Sequence, residues 1–472
     1  MPRRHLNLRT AGTALIDSEL AAVRARMEIP EGWSPEVLAE VEQAARAPRL
    51  PLHDATALPL FTVDPPDSRD LDQAMHLERR GSGYRVHYAI ADVGAFVRPG
   101  GAIDAEARRR VETLYFPDVR VPLHPPQFSE GAASLLPGQD APALLWQLDL
   151  DEDGVLVCTD LRRALVRSRR KLDYAGVQQA IDSGTADEAL ALLGVIGPLR
   201  EEREQDRGGI SLPIPEQEIE PVDGGYALSY RAPRPADGWN AQISLLTGMA
   251  AAELMIGAKV GILRTMPAPQ QWASDKFRRQ TIALGRPWPT DQPYGAYLRT
   301  LDTTDPKQLA IMHAAGSLFR GAGYTAFDGS VPSGLVQAAV GASYTHATAP
   351  LRRLVDRFVL VVCEAIANGR DIPSWAREAL PSLPGLMEHS SEVTSLFEHR
   401  AVDTVEAAVL SNHVGETFDA TVVSLSKTGG SIQLTEPAVT AHCNGALVDG
   451  SVIRAKLVQA DIPTGQVTFK LA

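Results

Sequence analysis

Phe61-Thr62-Val63-Asp64-Pro65-Pro66-Asp67-Ser68-Arg69-Asp70-Leu71-Asp72-Gln73-Ala74 sets four aspartates within nine residues behind a strand-like lead. Carboxylates crowded this closely repel one another, so the cluster is costly unless a cation or a basic partner compensates it. A divalent metal is the natural compensation. An all-oxygen donor set suits Mg²⁺ or Mn²⁺ rather than zinc, and the Pro65-Pro66 step stiffens the loop. Spacing excludes a calcium EF-hand: counted from Asp64, the sixth position is not Gly and the twelfth is Met75 rather than Glu. Two other readings of these residues stay open, an exposed acidic turn and the Asp-x-Asp pair of metal-dependent sugar-nucleotide transferases.

A second constellation lies far downstream: Ala342-Ser343-Tyr344-Thr345-His346-Ala347-Thr348-Ala349-Pro350-Leu351-Arg352-Arg353-Leu354-Val355-Asp356-Arg357. It predicts a Pro-started helix with arginines in its first turn, where positive charge runs against the helix dipole. A phosphate ligand would explain them; so would ion pairs with Asp356 or another acid. His346 reads as a structural histidine before it reads as a catalyst.

The elements that must position these residues follow from pattern and composition. The 472 residues, 44% hydrophobic and 22% charged, fit a folded protein of about two to four domains. Residues 1–50 read as helices. Ser18 and Ser34 each offer a cap before an apolar run, the second followed by Pro35, which suggests either a helix-turn-helix-like appendage or a helical hairpin packed on the next domain. From 51 to 405, strand runs such as Tyr84–Ile90 alternate with helical stretches at 239–260 and 351–368, giving a mixed α/β body. Residues 412–472 hold short strands at 418–425, 430–434, 452–458 and 466–471 between Gly, Ser, Thr and Pro clusters, the pattern of an all-β OB-fold barrel.

Charge and cysteine usage narrow the classes. A net charge of −12 argues against a sequence-independent nucleic-acid coat, although Arg108-Arg109-Arg110 and the run from Arg162 to Lys171 form local basic patches. Cys158, Cys363 and Cys443 form no Cys-x-x-Cys pair, so neither a disulfide framework nor a zinc site of the usual spacing is expected, and a reducing compartment fits. The basic stretch from Met1 to Arg9 is not followed by the ~7–15 apolar residues of a secretory signal. Charges at Glu253, Lys259 and Glu364 break the most apolar windows short of the ~18 residues of a membrane span. The expectation is a cytoplasmic monomer with no membrane partner.

Taken together, the two constellations resemble the ribonuclease II and ribonuclease R exoribonucleases. Asp64-Pro65 with Asp70-Leu71-Asp72 is similar to their metal loop, and Tyr344-Thr345-His346 through Arg353 to their second signature. His87–Val93, Leu114-Tyr115-Phe116-Pro117 and Arg207-Gly208-Gly209-Ile210 follow in matching order, so the resemblance covers about residues 28–472. It implies an RNB-type catalytic domain over 51–405, an OB-fold of the ribosomal protein S-one type over 412–472, and a helical segment at 1–50 in place of cold-shock domains. It further implies processive 3′-to-5′ hydrolysis of single-stranded RNA to nucleoside 5′-monophosphates with Mg²⁺, for which Mn²⁺ is a possible substitute.

Carried onto this sequence, the resemblance makes Asp64, Asp70 and Asp72 metal ligands, with Asp70, Asp72 and Arg352 catalytic. Arg352 would offset charge developing on the phosphate. Tyr115 would stack on a base near the 3′ end, with Trp239 clamping the other side and Arg353 and Arg357 touching phosphate. Asp403 stands about where the family carries a glutamate near the catalytic arginine. One departure is Gln73, where the family has a second adjacent aspartate; the expectation is weakened metal affinity, with Asp67 a nearby stand-in. Another is the front of the chain, from which easier access for 3′ tails abutting a duplex is expected. A catalytically impaired RNA-binding protein of the same fold is the competing reading.

Overall fold

The computed structural model describes residues 10–116, 118–211, 216–222, 225–231, 233–318 and 320–472. The basic residues 1–9 and Pro117 of the Leu114–Pro117 motif lie outside the described residues.

The aspartate loop hangs from a closed barrel of five strands: β1 (Leu60–Val63), β2 (Gln73–Arg80), β3 (Gly83–Ala91), then Asp140–Leu150 and Leu156–Leu172. β1 closes it by pairing parallel with Leu156–Leu172, with Thr62 opposite Lys171 and Val63 opposite Leu172. Leu60, Phe61 and Val63 are all buried. At about 1.5–3 kcal/mol for each such side chain, that burial fixes the strand from which Asp64 emerges. β2 begins at Gln73, paired with Ile90 of β3, so the aspartates span the short gap between two anchored strands. Trp146, Tyr88 and Leu148 fill the same core.

The two N-terminal helices form neither a free appendage nor a hairpin but dock separately, Thr10–Arg26 against the helix Leu383–Leu410 and Pro35–Arg46 against Ala102–Arg110. α1 (Thr10–Arg26) starts before the expected cap, so Ser18 is mid-helix; Leu20 and Val23 drive its docking by entering a buried cluster with Phe116 and Phe397. Arg24 pairs with Asp118 at 2.7 Å. α2 (Pro35–Arg46) is capped as expected, with Ser34 Oγ accepting from the Val37 amide and Pro35 in the first turn.

The helix Pro235–Ala258 is long and apolar enough to cross a membrane by length and composition, which the charge-broken windows had not led us to expect. More than half of its apolar window is buried inside the protein, where Ile243, Leu246 and Met255 join the main core. The helix of the second constellation begins at Leu354, not at Pro350. Asp356 accepts from the Ala349 amide at 2.7 Å and from Arg353 at 3.0 Å, so residues 349–353 wrap the helix start as a turn. Arg352 and Arg353 therefore precede the helix, and the acidic Asp356 occupies its first turn as the dipole favours.

The long helix Leu383–Leu410 leads into the C-terminal barrel of Thr417–Ser426, Gly429–Leu434, Val439–Asn444, Val452–Asp461 and Gln466–Leu471. The expected strands are all present. The additional one, Val439–Asn444, alternates buried and exposed side chains and pairs with both Gly429–Leu434 and Gln466–Leu471.

Candidate active site

The two constellations meet in one cleft of about 600 Å³, lined by Asp64, Asp70, Gln73, Tyr115, Arg352 and Arg353 among others. The Asp64 amide donates to the Leu172 carbonyl at 3.0 Å, extending the strand pairing of β1 to the first aspartate. Beyond the Pro65-Pro66 step the loop is pinned from behind: Ser134 Oγ donates to the Arg69 carbonyl at 2.6 Å and accepts from the Leu71 amide at 3.0 Å. Leu71 itself is fully buried. Asp70 and Asp72, alternating about this anchored residue, thus take different surroundings.

Asp72 is fully buried and engaged on both oxygens. Oδ1 accepts from the Leu351 amide at 2.7 Å and Oδ2 from Arg352 Nε at 2.6 Å. Burial pushes its carboxyl up to about 7, while Arg352 and the Leu351 amide pull the other way. Asp70 forms an ion pair with Arg120 at 2.7 Å, and Arg120 also reaches Glu130. Burial raises Asp64 to about 6, with Arg352 opposing it; Oδ2 of Asp64 is buried without a hydrogen-bond partner. Gln73 Nε2 donates to the Thr348 carbonyl.

Tyr115 is brought beside Arg352 by backbone pairing: the Thr113 amide donates to the Arg352 carbonyl and the Leu354 amide to the Val111 carbonyl, each at 2.9 Å. Tyr115 is 54% exposed, which suits a stacking surface more than a core tyrosine. Arg353 lines the cleft with its guanidinium held by Asp356. His346 is structural, as expected: Tyr324 Oη lies 2.6 Å from its Nδ1, and burial holds it well below the usual histidine range.

Residues 52–368, more than half of the chain, match the RNB domain, and residues 416–472 match the RNase II-type exonuclease C-terminal S1 domain. The chain belongs to the RNB family. Ribonuclease R of Vibrio cholerae is 28% identical over 455 residues, covering 87% of this chain and 53% of that protein. The chain thus spans about half the length of the curated relatives it matches. RNase R of Mycoplasma genitalium, solved with ribose-methylated single-stranded RNA, superposes with a TM-score of 0.86 at 18% identity, covering 97% of this chain and 78% of that one. The same protein with double-stranded RNA gives 0.82 at 20% identity, covering 97% and 83%. Yeast Ssd1, described as a pseudonuclease, gives 0.72 at 16% identity, covering 94% and 58%. These likenesses establish a common fold.

Within this RNB cleft the three expected ligands, Asp64, Asp70 and Asp72, differ in their surroundings. Asp64 and Asp70 open into it, and the Asp70 charge adds to the cost of ionising Asp64; the orphaned Asp64 Oδ2 is the kind of oxygen a hard cation relieves. Asp72 is fully buried and does not line the cleft, and each of its oxygens accepts a hydrogen bond, from the Leu351 amide and from Arg352. Among the described residues no three of His, Cys, Asp and Glu stand together as an ion site. The carboxylates that line the cleft, Asp64 and Asp70, fit a divalent cation, with Gln73 as a neutral neighbour. Asp67 is exposed and outside the cleft, so it is no substitute.

Three more expectations are not met. Trp239 packs over Gly197, where a Cβ would stand 2.3 Å from the indole, because its helix turns Asn240 and Ser244 to the cleft instead. Arg357 is 2% exposed, paired with Asp104 at 2.5 Å, and lines a different cavity. Asp403 abuts Gly465 of the C-terminal barrel; the acid that its helix brings to the cleft is Glu398. Five residues of helix turn about 140°, so the two acids face different ways. Sequence reasoning also missed Arg120, Tyr174, Asn240 and Glu112. Arg120 had only its place just after the Leu114–Pro117 motif to mark it.

Proposed function

We propose that this RNB-family chain is a processive hydrolytic exoribonuclease that degrades single-stranded RNA, including 3′ tails next to duplex, from the 3′ end to nucleoside 5′-monophosphates. It acts as a cytoplasmic monomer with Mg²⁺, which Mn²⁺ can replace. The observation that carries the reading is the convergence in one cleft of Asp64 and Asp70 with Arg352, Arg353 and the exposed ring of Tyr115. Carboxylates for a hard cation, guanidinium groups for phosphate and an aromatic face for a base make up the chemistry of cutting one nucleotide from a strand. The RNA complexes of the Mycoplasma protein support the choice of polymer.

Tyr115 stacks on a base of the 3′ end and sets the terminal phosphodiester beside Arg352. Arg352 and Arg353 hold the phosphate, and Arg352 offsets the charge that grows on its oxygens in the transition state. Asp72 orients Arg352 from below through the 2.6 Å contact. Asp64 and Asp70 would hold the Mg²⁺, which polarises the phosphate and activates water when bound.

The test is 5′-labelled RNA with Mg²⁺, run beside an Asp64→Asn variant and a chelator control. A short limit product with mononucleotides, lost in both controls, supports the enzyme. A second reading, an RNA-binding protein with an impaired site, is favoured by Gln73, which donates to Thr348 where the resemblance expects a carboxylate. RNA left intact but shifted on the gel would establish it.

A further inference from the structure

Arg357 lines a second cavity, of about 220 Å³, and we propose that this cavity binds a small phosphate-bearing anion. The segment that ends at Arg357 serves both sites: Pro350 lines this cavity, while Ala349, Arg352 and Arg353 line the cleft. Only Nη1 of Arg357 has a carboxylate partner, Asp104; Nε and Nη2 are buried without any hydrogen-bond partner. A buried guanidinium with open donors is unfavourable unless an acceptor reaches it.

Arg49, Arg163 and Arg370 line the same cavity. Asp92 takes Arg163 at 2.6 Å, and Glu364 takes Arg370. Arg49 donates to the carbonyl of Val97 at 3.0 Å, which leaves its charge unneutralised. Four guanidinium groups thus meet three carboxylates, Asp92, Asp104 and Glu364, and the excess is one positive charge. Forked donors match the geometry of carboxylate and phosphate, and the positive excess favours the more highly charged phosphate. Trp375, whose ring lies 5.1 Å from the Arg357 guanidinium carbon, gives one apolar wall. The wall suits the base or sugar of a mononucleotide, whereas inorganic phosphate would use the arginines alone.

The experiment is calorimetric titration of the intact chain, in chelator, with inorganic phosphate and with AMP. Binding of one equivalent of phosphate is expected in an Arg352→Gln/Tyr115→Ala variant whose fold is confirmed by circular dichroism and whose cleft is disabled, whatever the cleft of the unaltered chain binds in addition. Arg370→Gln, at an exposed ion pair that folding does not depend on, and Arg49→Gln should each weaken it about tenfold, and Arg357→Gln more. Tighter binding of AMP, with the margin lost in Trp375→Leu, assigns a nucleotide; equal binding assigns free phosphate. The proposal is overturned if neither anion binds, if binding disappears with the cleft variant, or if Arg370→Gln and Arg49→Gln both leave it unchanged.

Discussion

Arg352 Nε stands 2.6 Å from Oδ2 of Asp72, so the arginine that faces the cleft and the aspartate buried beneath it hold each other across 280 residues of sequence. Removing the arginine leaves a fully buried carboxylate with only the Leu351 amide. Arg352→Gln should therefore lower turnover about 100–1,000-fold and cost about 3 kcal/mol of stability. Asp72→Asn in the same chain should recover most of the stability and none of the turnover, as read by urea denaturation and RNA hydrolysis.

Tyr115 offers its ring to the cleft with little core to lose. Tyr115→Ala should weaken binding of a short RNA by about 10–100-fold, the worth of one stacked base, and leave thermal stability nearly unaltered. Fluorescence anisotropy with a 5′-labelled oligonucleotide in chelator measures it; unchanged affinity would remove Tyr115 from the RNA path.

Gln73 tests the metal reading. Gln73→Asp adds a carboxylate beside Asp64 and Asp70 but loses the donor to the Thr348 carbonyl. The Mg²⁺ concentration for half-maximal hydrolysis should fall about 10–100-fold, while stability drops by about 1–2 kcal/mol. A Mg²⁺ titration that superposes on that of the unaltered chain would show that Gln73 is not what limits the metal.

Glu406 couples the long helix to the C-terminal barrel, with Gln217 Nε2 at 2.9 Å and the Thr440 amide at 3.4 Å. Burial raises its carboxyl to about 7. A carboxyl whose folded value lies above its unfolded value near ~4.3 binds protons better when folded, so its contribution is most favourable at low pH. Stability falls as pH rises from about 4 to about 7. Glu406→Gln should flatten that slope and gain about 1–3 kcal/mol at about pH 8 relative to about pH 5, measured by urea denaturation at both.

Trp239 is a packing residue. Gly197→Ala would drive a methyl to 2.3 Å of its indole and should cost about 1–3 kcal/mol, whereas Trp239→Phe should leave RNA affinity within about twofold. A large loss of RNA affinity in Trp239→Phe, with the fold intact by circular dichroism, would return it to the cleft.

Much of this was legible in the sequence where local pattern and chemistry agree. The Ser34-Pro35 cap, the strand around Tyr88 and four of the five C-terminal strands carry their own periodicity, and the two motifs name most of the cleft. What was not legible depends on direction. Nothing in Asp237-Gly238-Trp239-Asn240 says that Asn240 rather than Trp239 turns inward, because a helix of 24 residues that is buried on several sides has no single apolar stripe to phase it. Asp403 and Glu398 are both helix acids, separated only by rotation. Arg353 and Arg357 look alike in sequence; one meets Asp356 beside the cleft and the other Asp104 in the interior. The helix start at Leu354 was missed because Pro350 is a common first residue, while a tertiary turn built on Asp356 decides the outcome here.

The parallel closure of β1 on Leu156–Leu172 and the grip of Arg352 on Asp72 also set an order of events during synthesis. Asp64 has no fixed seat until residue 172 has left the ribosome, and Asp72 has no counter-ion until residue 352 has. Contacts this distant in sequence form slowly and late. A growing chain therefore carries the parts of the cleft but not the cleft, which is completed only after residue 352 has emerged.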